Sequence, residues 1–145
     1  MKRTIFITLF LSLLLLSSCC GCRKGPRMVV EGSSWTLNEM GGTVIDNSGG
    51  RERYTLTLGD DLRYNGIGDC NRFSGTFQLK EGVIAFSPAA ATRMGCLDGA
   101  REAAYFGLFD KAAHYAVDRE FLILMDAEHR ILASFRAVVP ETPDR

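Results

Sequence analysis

The chain has 145 residues, of which 46% are apolar, with 17 basic and 17 acidic side chains. These values predict one folded domain and exclude a disordered protein, which would have a lower apolar fraction and a higher net charge. They also exclude charge-driven nucleic-acid binding, because there is no excess of Lys and Arg to neutralise phosphates.

The N-terminus has the pattern of a bacterial export signal. Lys2 and Arg3 form a positive region, and the apolar stretch Ile5–Leu16 is shorter than the roughly 20 residues that a membrane-spanning helix needs. An apolar residue and two small residues then precede a cysteine in Leu16-Ser17-Ser18-Cys19, which resembles a lipobox. Cys20 and Cys22 are weaker candidates, because cleavage before Cys20 would place Ser17 at the apolar position. We therefore predict that Cys19 becomes the new N-terminus and carries a covalent lipid of palmitate type.

The predicted boundaries are residues 1–18 for the lipoprotein signal peptide, 19–31 for the lipidated terminus and tether, 32–138 for the folded domain, and 139–145 for a short tail. Removal of the signal peptide takes away Lys2 and Arg3 but no acidic residue. The processed chain therefore keeps 15 of the 17 basic side chains and all 17 acidic ones, so it is slightly acidic. An acylated terminus anchors a protein to a membrane. No Asp follows Cys19, and in this the chain resembles lipoproteins that are sent to the outer membrane of double-membraned bacteria. The expected location is the cell envelope, on the outer membrane facing the periplasm. A plain secretory signal is the alternative.

From Gly32 onward, apolar residues recur mostly at every second position, which is typical of strands. The period changes once, where Asp98 is a predicted N-cap, Glu102 lies in the first turn, and a helix is expected to end near His114. The apolar run Phe121–Met125 predicts a strand covered on both faces. We predict an α+β fold that is mainly antiparallel, a curled sheet or half-open barrel of about seven or eight strands with one helix across it.

Two sequence blocks identify a family. The segment Cys70-Asn71-Arg72-Phe73-Ser74-Gly75-Thr76-Phe77, followed by Thr92-Arg93-Met94-Gly95-Cys96, resembles the META domain of the HslJ-like (DUF306) heat-shock lipoproteins. The resemblance covers residues 33–137, and Asp69 departs from it because a small residue usually precedes this cysteine. It implies an association with heat or envelope stress and, in some members, with tolerance of antibiotics such as novobiocin.

The motif residues have structural interpretations. Cys70 and Cys96 are the only cysteines of the predicted domain, so export to an oxidising compartment predicts a disulfide, with two buried thiols as the alternative. Asn71 is predicted to cap local backbone in a turn, with ligand contact as the alternative. The remaining motif positions are Phe73, Gly75, Phe77, Thr92 and Met94. The side chains of Phe73, Phe77 and Met94 are predicted to lie in the core. Gly75 is predicted to form a bulge or to allow close packing against the helix.

No catalytic or metal-binding pattern is complete. Cys19 and Cys22 have C-x-x-C spacing, but no second pair of cysteines or histidines completes a zinc site. His114 is predicted to bond the last carbonyls of the helix, and His129 lies in a polar turn. Pairing of either histidine with Cys96 would need a free thiolate, which a disulfide removes.

We therefore predict a protein that is not an enzyme and has neither a cofactor beyond the lipid on Cys19 nor a metal. The first hypothesis is an envelope lipoprotein that binds another envelope protein through free strand edges near Trp35 or at the last strand. The alternative is a periplasmic barrel that binds a lipid or another small hydrophobic ligand in a hollow interior.

Overall fold

The computed structural model describes residues 29–47, 49, 52–118 and 120–139. The predicted signal peptide, Cys19 and residues 140–145 of the predicted tail lie outside these residues. The secondary-structure elements, in chain order, are β1 (Ser33–Met40), β2 (Thr43–Val44), β3 (Thr55–Leu58), β4 (Arg63–Ile67), β5 (Arg72–Lys80), β6 (Val83–Phe86), β7 (Ala90–Ala91), α1 (Gly99–Lys111), β8 (His114–Asp118), β9 (Phe121–Met125) and β10 (Ile131–Ala137).

The strands form one antiparallel sheet that closes into a ring. The strand order is β1-β3-β4-β5-β6-β8-β9-β10, and β10 pairs again with β1. The short strands β2 and β7 pair with β1 and β5 beside this ring. The ring is not a regular barrel, because β6 and β8 share only the residue pair Val83 and His114. The predicted α+β fold with a curled antiparallel sheet and one helix is confirmed.

Ring closure contradicts the predicted free edges. Trp35 pairs with Leu56 of β3 on one side and with Ala137 of β10 on the other. The last strand is likewise paired on both sides, with β9 and β1. The prediction of a docking edge at Trp35 or at β10 was wrong, because the two predicted edges hydrogen-bond to each other.

The interior of the ring is filled by side chains of alternate strand residues and by the inner face of α1. Phe73 lies at the centre of this packing, with its ring centroid 5.2–5.9 Å from those of Tyr64, Tyr105, Phe106 and Phe109. The Tyr105 hydroxyl donates a hydrogen bond to the Thr55 carbonyl oxygen at 2.8 Å. Buried apolar residues include Trp35, Leu37, Tyr54, Leu56, Leu58, Phe77, Ile84, Leu108, Leu122, Leu124, Ala133 and Phe135.

The helix is shorter than predicted. It ends at Lys111, and the Ala112 N–H bonds to the Leu108 carbonyl oxygen. His114 therefore does not cap the helix, because it is the first residue of β8. Its ring stacks on that of His129 with a centroid separation of 3.9 Å. No helix among the described residues is long and apolar enough to span a membrane.

Strand β9 is covered on only one face. Leu122 and Leu124 are buried, whereas Phe121, Ile123 and Met125 are half-buried. The prediction of a strand covered on both faces was wrong, because β9 lies in a single-layered ring whose outer face meets solvent.

Candidate functional site

The two motif blocks meet at the N-terminal end of α1. Cys70 lies in the turn between β4 and β5, and Cys96 lies in the loop between β7 and α1. The two residues form a disulfide, with their Cα atoms 5.7 Å apart. The alternative of two reduced thiols is not what the structure shows. The bridge holds the loop before the helix against the turn before β5.

Asn71 connects the same segments through its buried side-chain amide. Its Nδ2 donates to the Met94 carbonyl oxygen at 3.1 Å and to Glu102 Oε2 at 2.6 Å. Its Oδ1 accepts hydrogen bonds from Thr92 Oγ1 at 2.9 Å and from the Met94 N–H at 2.6 Å. A primary amide has two donor hydrogens and two acceptor lone pairs, and all are used here. Asn71 does cap backbone, as predicted, but the capped segment is distant in sequence rather than local.

Glu102 is the partner that the sequence analysis did not find. Its side chain is buried, and Oε1 accepts hydrogen bonds from the N–H groups of Cys70 at 3.0 Å and Asn71 at 2.9 Å. Burial acts to raise the pKa of Glu102, but the hydrogen bonds from Asn71, Cys70 and Asp69 outweigh it and lower the pKa. Glu102 precedes Tyr105, Phe106 and Phe109 by three, four and seven residues, so helical spacing already placed it on the apolar face.

The disulfide also changes what this cluster can bind. Cys96 Sγ lies 3.1 Å from Glu102 Oε2, and one ligand-type atom from each of Cys70, Cys96 and Glu102 lies within 4.8 Å of the others. A cysteine binds a metal ion or attacks a substrate through its thiolate, and here the two sulfurs are joined to each other. In the oxidised state, this cluster therefore has one carboxylate and no thiolate to offer a metal or a substrate.

An acidic pair supports the start of the helix. Asp98 is the N-cap, as predicted, and its side chain accepts from the Arg101 N–H at 3.1 Å. Asp69 is buried, accepts from the Asp98 N–H at 3.2 Å, and forms an ion pair with Arg53 at 3.3 Å. The residue that departs from the family pattern thus ties the β4–β5 turn to the helix N-terminus, where a carboxylate is favoured.

The remaining motif residues divide between core and surface. Phe73 and Phe77 are buried, as predicted. The core prediction for Met94 was wrong: its main chain bonds Asn71, while the residue is 59% exposed. Gly75 lies directly opposite Tyr64 of β4, and a Cβ there would overlap the Tyr64 ring. The close packing predicted for Gly75 therefore exists, but against β4 rather than against the helix.

The polar groups of the motif are used inside the protein. Thr92 Oγ1 donates to Asn71 Oδ1 and accepts from the Arg72 N–H at 3.0 Å. Together with Glu102 and the disulfide, these contacts join the β4–β5 turn, the β7–α1 loop and α1. We call the residues Cys70, Asn71, Thr92, Cys96 and Glu102 the motif network. Its role is structural, because the donors and acceptors of Asn71, Thr92 and Glu102 are bonded to other groups of the protein.

Removal of the disulfide should destabilise the domain by about 3–4 kcal/mol, since the bridge constrains a loop of about 27 residues in the unfolded chain. The variant Cys70→Ser/Cys96→Ser, compared with wild type by urea denaturation, measures this difference. Cys20→Ser is the matched control and should leave the free energy of unfolding unchanged. Equal midpoints for the double variant and wild type would show that the bridge does not stabilise the fold.

Comparison with known proteins gives one family and three similar structures. The model of the META domain family matches residues 28–139. No curated protein matches the sequence. An NMR structure of a protein from Burkholderia xenovorans is 25% identical, with a TM-score of 0.62 over 76% of this chain and 84% of that chain. A second NMR structure is 19% identical, with a TM-score of 0.60 over 76% and 95%.

The third similar structure is the crystal structure of a DUF4847 family protein from Bacteroides vulgatus. It is 14% identical, with a TM-score of 0.53 over 74% of this chain and 94% of that chain. At these identities, the second and third structures support the fold alone. Neither the family description nor the titles of the three structures name an enzymatic activity.

Proposed function

This chain belongs to the META domain family, and on that premise we propose that it is a non-enzymatic lipoprotein of the bacterial cell envelope. It acts by binding another envelope protein, in the response to heat or envelope stress or in antibiotic tolerance. The membrane is reached through the lipid on Cys19, and the folded domain faces the periplasm on the outer membrane.

The observation that carries the proposal is the internal use of the motif network. Asn71 satisfies both donors and both acceptors within the protein, and Glu102 is buried among hydrogen-bond donors. A catalytic site would instead present a nucleophile or base to a cleft. Because the polar groups of Asn71 and Glu102 stabilise the fold, we place the binding of a partner protein on the exposed surface of the domain.

The packed interior favours this proposal over the alternative of a hydrophobic-ligand carrier. Such a carrier needs a hollow barrel. Here, Tyr64, Phe73, Tyr105 and Phe109 contact one another across the space between the sheet and α1. Two depressions of about 420 and 280 Å³ are open to solvent rather than enclosed.

Lipidation is tested in bacteria grown with an alkyne analogue of palmitate. Wild type and the matched control Cys20→Ser should incorporate the label and sediment with the envelope, because their lipobox is intact. Cys19→Ser should do neither. Labelling of Cys19→Ser at the wild-type level, or soluble unlabelled wild type, would contradict the anchor.

The stress role is tested separately in a deletion strain exposed to heat or novobiocin. Wild type should restore growth, whereas Cys19→Ser should not, because it does not reach the membrane. Native mass spectrometry then distinguishes the two mechanisms. A polypeptide held by wild type supports the proposal, and a noncovalent lipid-sized mass supports the carrier.

A further inference from the structure

The outer faces of β4, β5 and β7 form a surface groove of about 420 Å³ beside the motif network. Its lining includes Asn65 of β4, Arg72 and Ser74 of β5, and Ala90 of β7. The small side chains of Ser74 and Ala90 lie opposite each other in the β5–β7 pairing. A depression forms there because these short side chains adjoin the long side chain of Arg72.

The strand register brings three polar side chains together in this groove. Asn65 and Ser74 are direct partners in the β4–β5 ladder, and such partners have Cβ atoms about 4.5–5.5 Å apart. Arg72 lies two residues before Ser74, so it is on the same face and about 7 Å away along the strand. All three residues are exposed, while the intervening Phe73 points into the core.

These polar groups lack partners within the described part of the chain. Arg53, Arg101 and Arg130 form ion pairs with acidic residues. Among the described residues, no acidic group lies within ion-pair distance of the Arg72 guanidinium, and the same holds for Arg63, Arg93 and Arg136. Of these, Arg72 is the one that lines this groove, where the side chains of Asn65 and Ser74 form no hydrogen bond with a described residue. The groove thus presents a cation, an amide and a hydroxyl to solvent.

We propose that this groove binds an oxyanion, either the phosphate or the carboxylate group of a small molecule. The planar guanidinium of Arg72 matches two oxygens of such a group. The Ser74 hydroxyl and the Asn65 amide supply further donors to the same group. The site is independent of the lipid anchor and goes beyond the proposed function.

Titration of the full-length protein in nonionic detergent with sodium phosphate, at an ionic strength fixed with sodium chloride, tests this site. Two-dimensional NMR of the backbone amides should show saturable shifts at Asn65, Arg72 and Ser74. Arg72→Gln should weaken phosphate binding at least tenfold, and Arg72→Lys should weaken it less, because Lys keeps the charge without the fork.

Arg136→Gln is the matched control, since Arg136 is exposed on β10 and its guanidinium lies 5.2 Å from the Phe121 ring centroid. It should bind phosphate like wild type. The proposal is overturned if Arg72→Gln binds as wild type does, or if chloride alone produces the same shifts. Parallel titrations with dihexanoyl phosphatidylglycerol, which carries a lipid phosphate, and with succinate, which carries carboxylates, identify the source of the oxyanion. The probe that binds more tightly than inorganic phosphate indicates which source the groove prefers.

Discussion

Replacement of Glu102 by Ala should lower the free energy of unfolding by about 3–5 kcal/mol. The carboxylate accepts hydrogen bonds from the N–H groups of Cys70 and Asn71 and from the Asn71 side chain. Truncation leaves the two buried donors of Asn71 and the partly buried N–H of Cys70 without their acceptor. Each unsatisfied buried donor costs about 1–3 kcal/mol, and a donor that water can reach costs less. Urea denaturation of the oxidised protein, followed by circular dichroism, measures the loss.

Two further variants isolate the cause of this loss. Glu102→Gln keeps an acceptor for the two backbone donors but opposes its own amide hydrogens to those of Asn71, so its loss should be smaller than that of Glu102→Ala. Glu81→Gln, at an exposed position in the β5–β6 turn, should change stability by less than about 0.5 kcal/mol. A loss below about 1 kcal/mol for Glu102→Ala would show that water replaces the carboxylate.

The pH dependence of stability provides an independent readout of the same group. Hydrogen bonds hold the pKa of Glu102 below its usual value of 4.5 in the folded state. A lowered folded-state pKa means that the carboxylate stabilises the fold fully above its unfolded-state pKa, and that this stabilisation is lost as the pH falls through the folded-state value. The difference between wild type and Glu102→Gln should therefore shrink below about pH 4.5.

Replacement of Phe73 by Ala should cost about 3–5 kcal/mol, because the side chain is buried and four aromatic rings surround it. The lost contacts connect β5 to α1, so the cavity would open between the sheet and the helix. Thermal and urea unfolding of the purified protein measure the change.

Phe106→Ala is the matched control, since Phe106 contacts Phe73 from α1 but is only half-buried. It should cost less than Phe73→Ala. Nearly equal stability of Phe73→Ala and wild type would mean that the ring lines an open cavity, and the hydrophobic-carrier hypothesis would then displace the packed core.

Local sequence patterns were sufficient for most strands and for the existence of the helix. Alternation of apolar residues from Gly32 onward predicted most strands, and the change of period after Asp98 predicted α1. The two-residue strands β2 and β7 were not predicted, since a periodic pattern needs more positions than they contain. The helix end was misplaced because β8 begins at His114, and its pairing with β9 overrides a continued helix.

The candidate site could be predicted only in part. The Cys70–Cys96 pair followed from counting cysteines in an exported domain, and Asp98 followed from capping preferences. The bond between Asn71 and Glu102 was not found, because 31 residues separate them. The exposure of Met94 was missed as well, since an apolar side chain in a motif gives no sign that only its main chain is used.

The sequence by itself determined the family, the antiparallel α+β class and the cysteines available for a bridge, because these depend on residue identity and short-range periodicity. Only the tertiary structure decided that β1 pairs with β10, that the interior is packed, and that Glu102 is buried against Asn71. These features depend on which distant segments meet. Local patterns specify the faces of strands and helices, whereas closure of the ring specifies their neighbours.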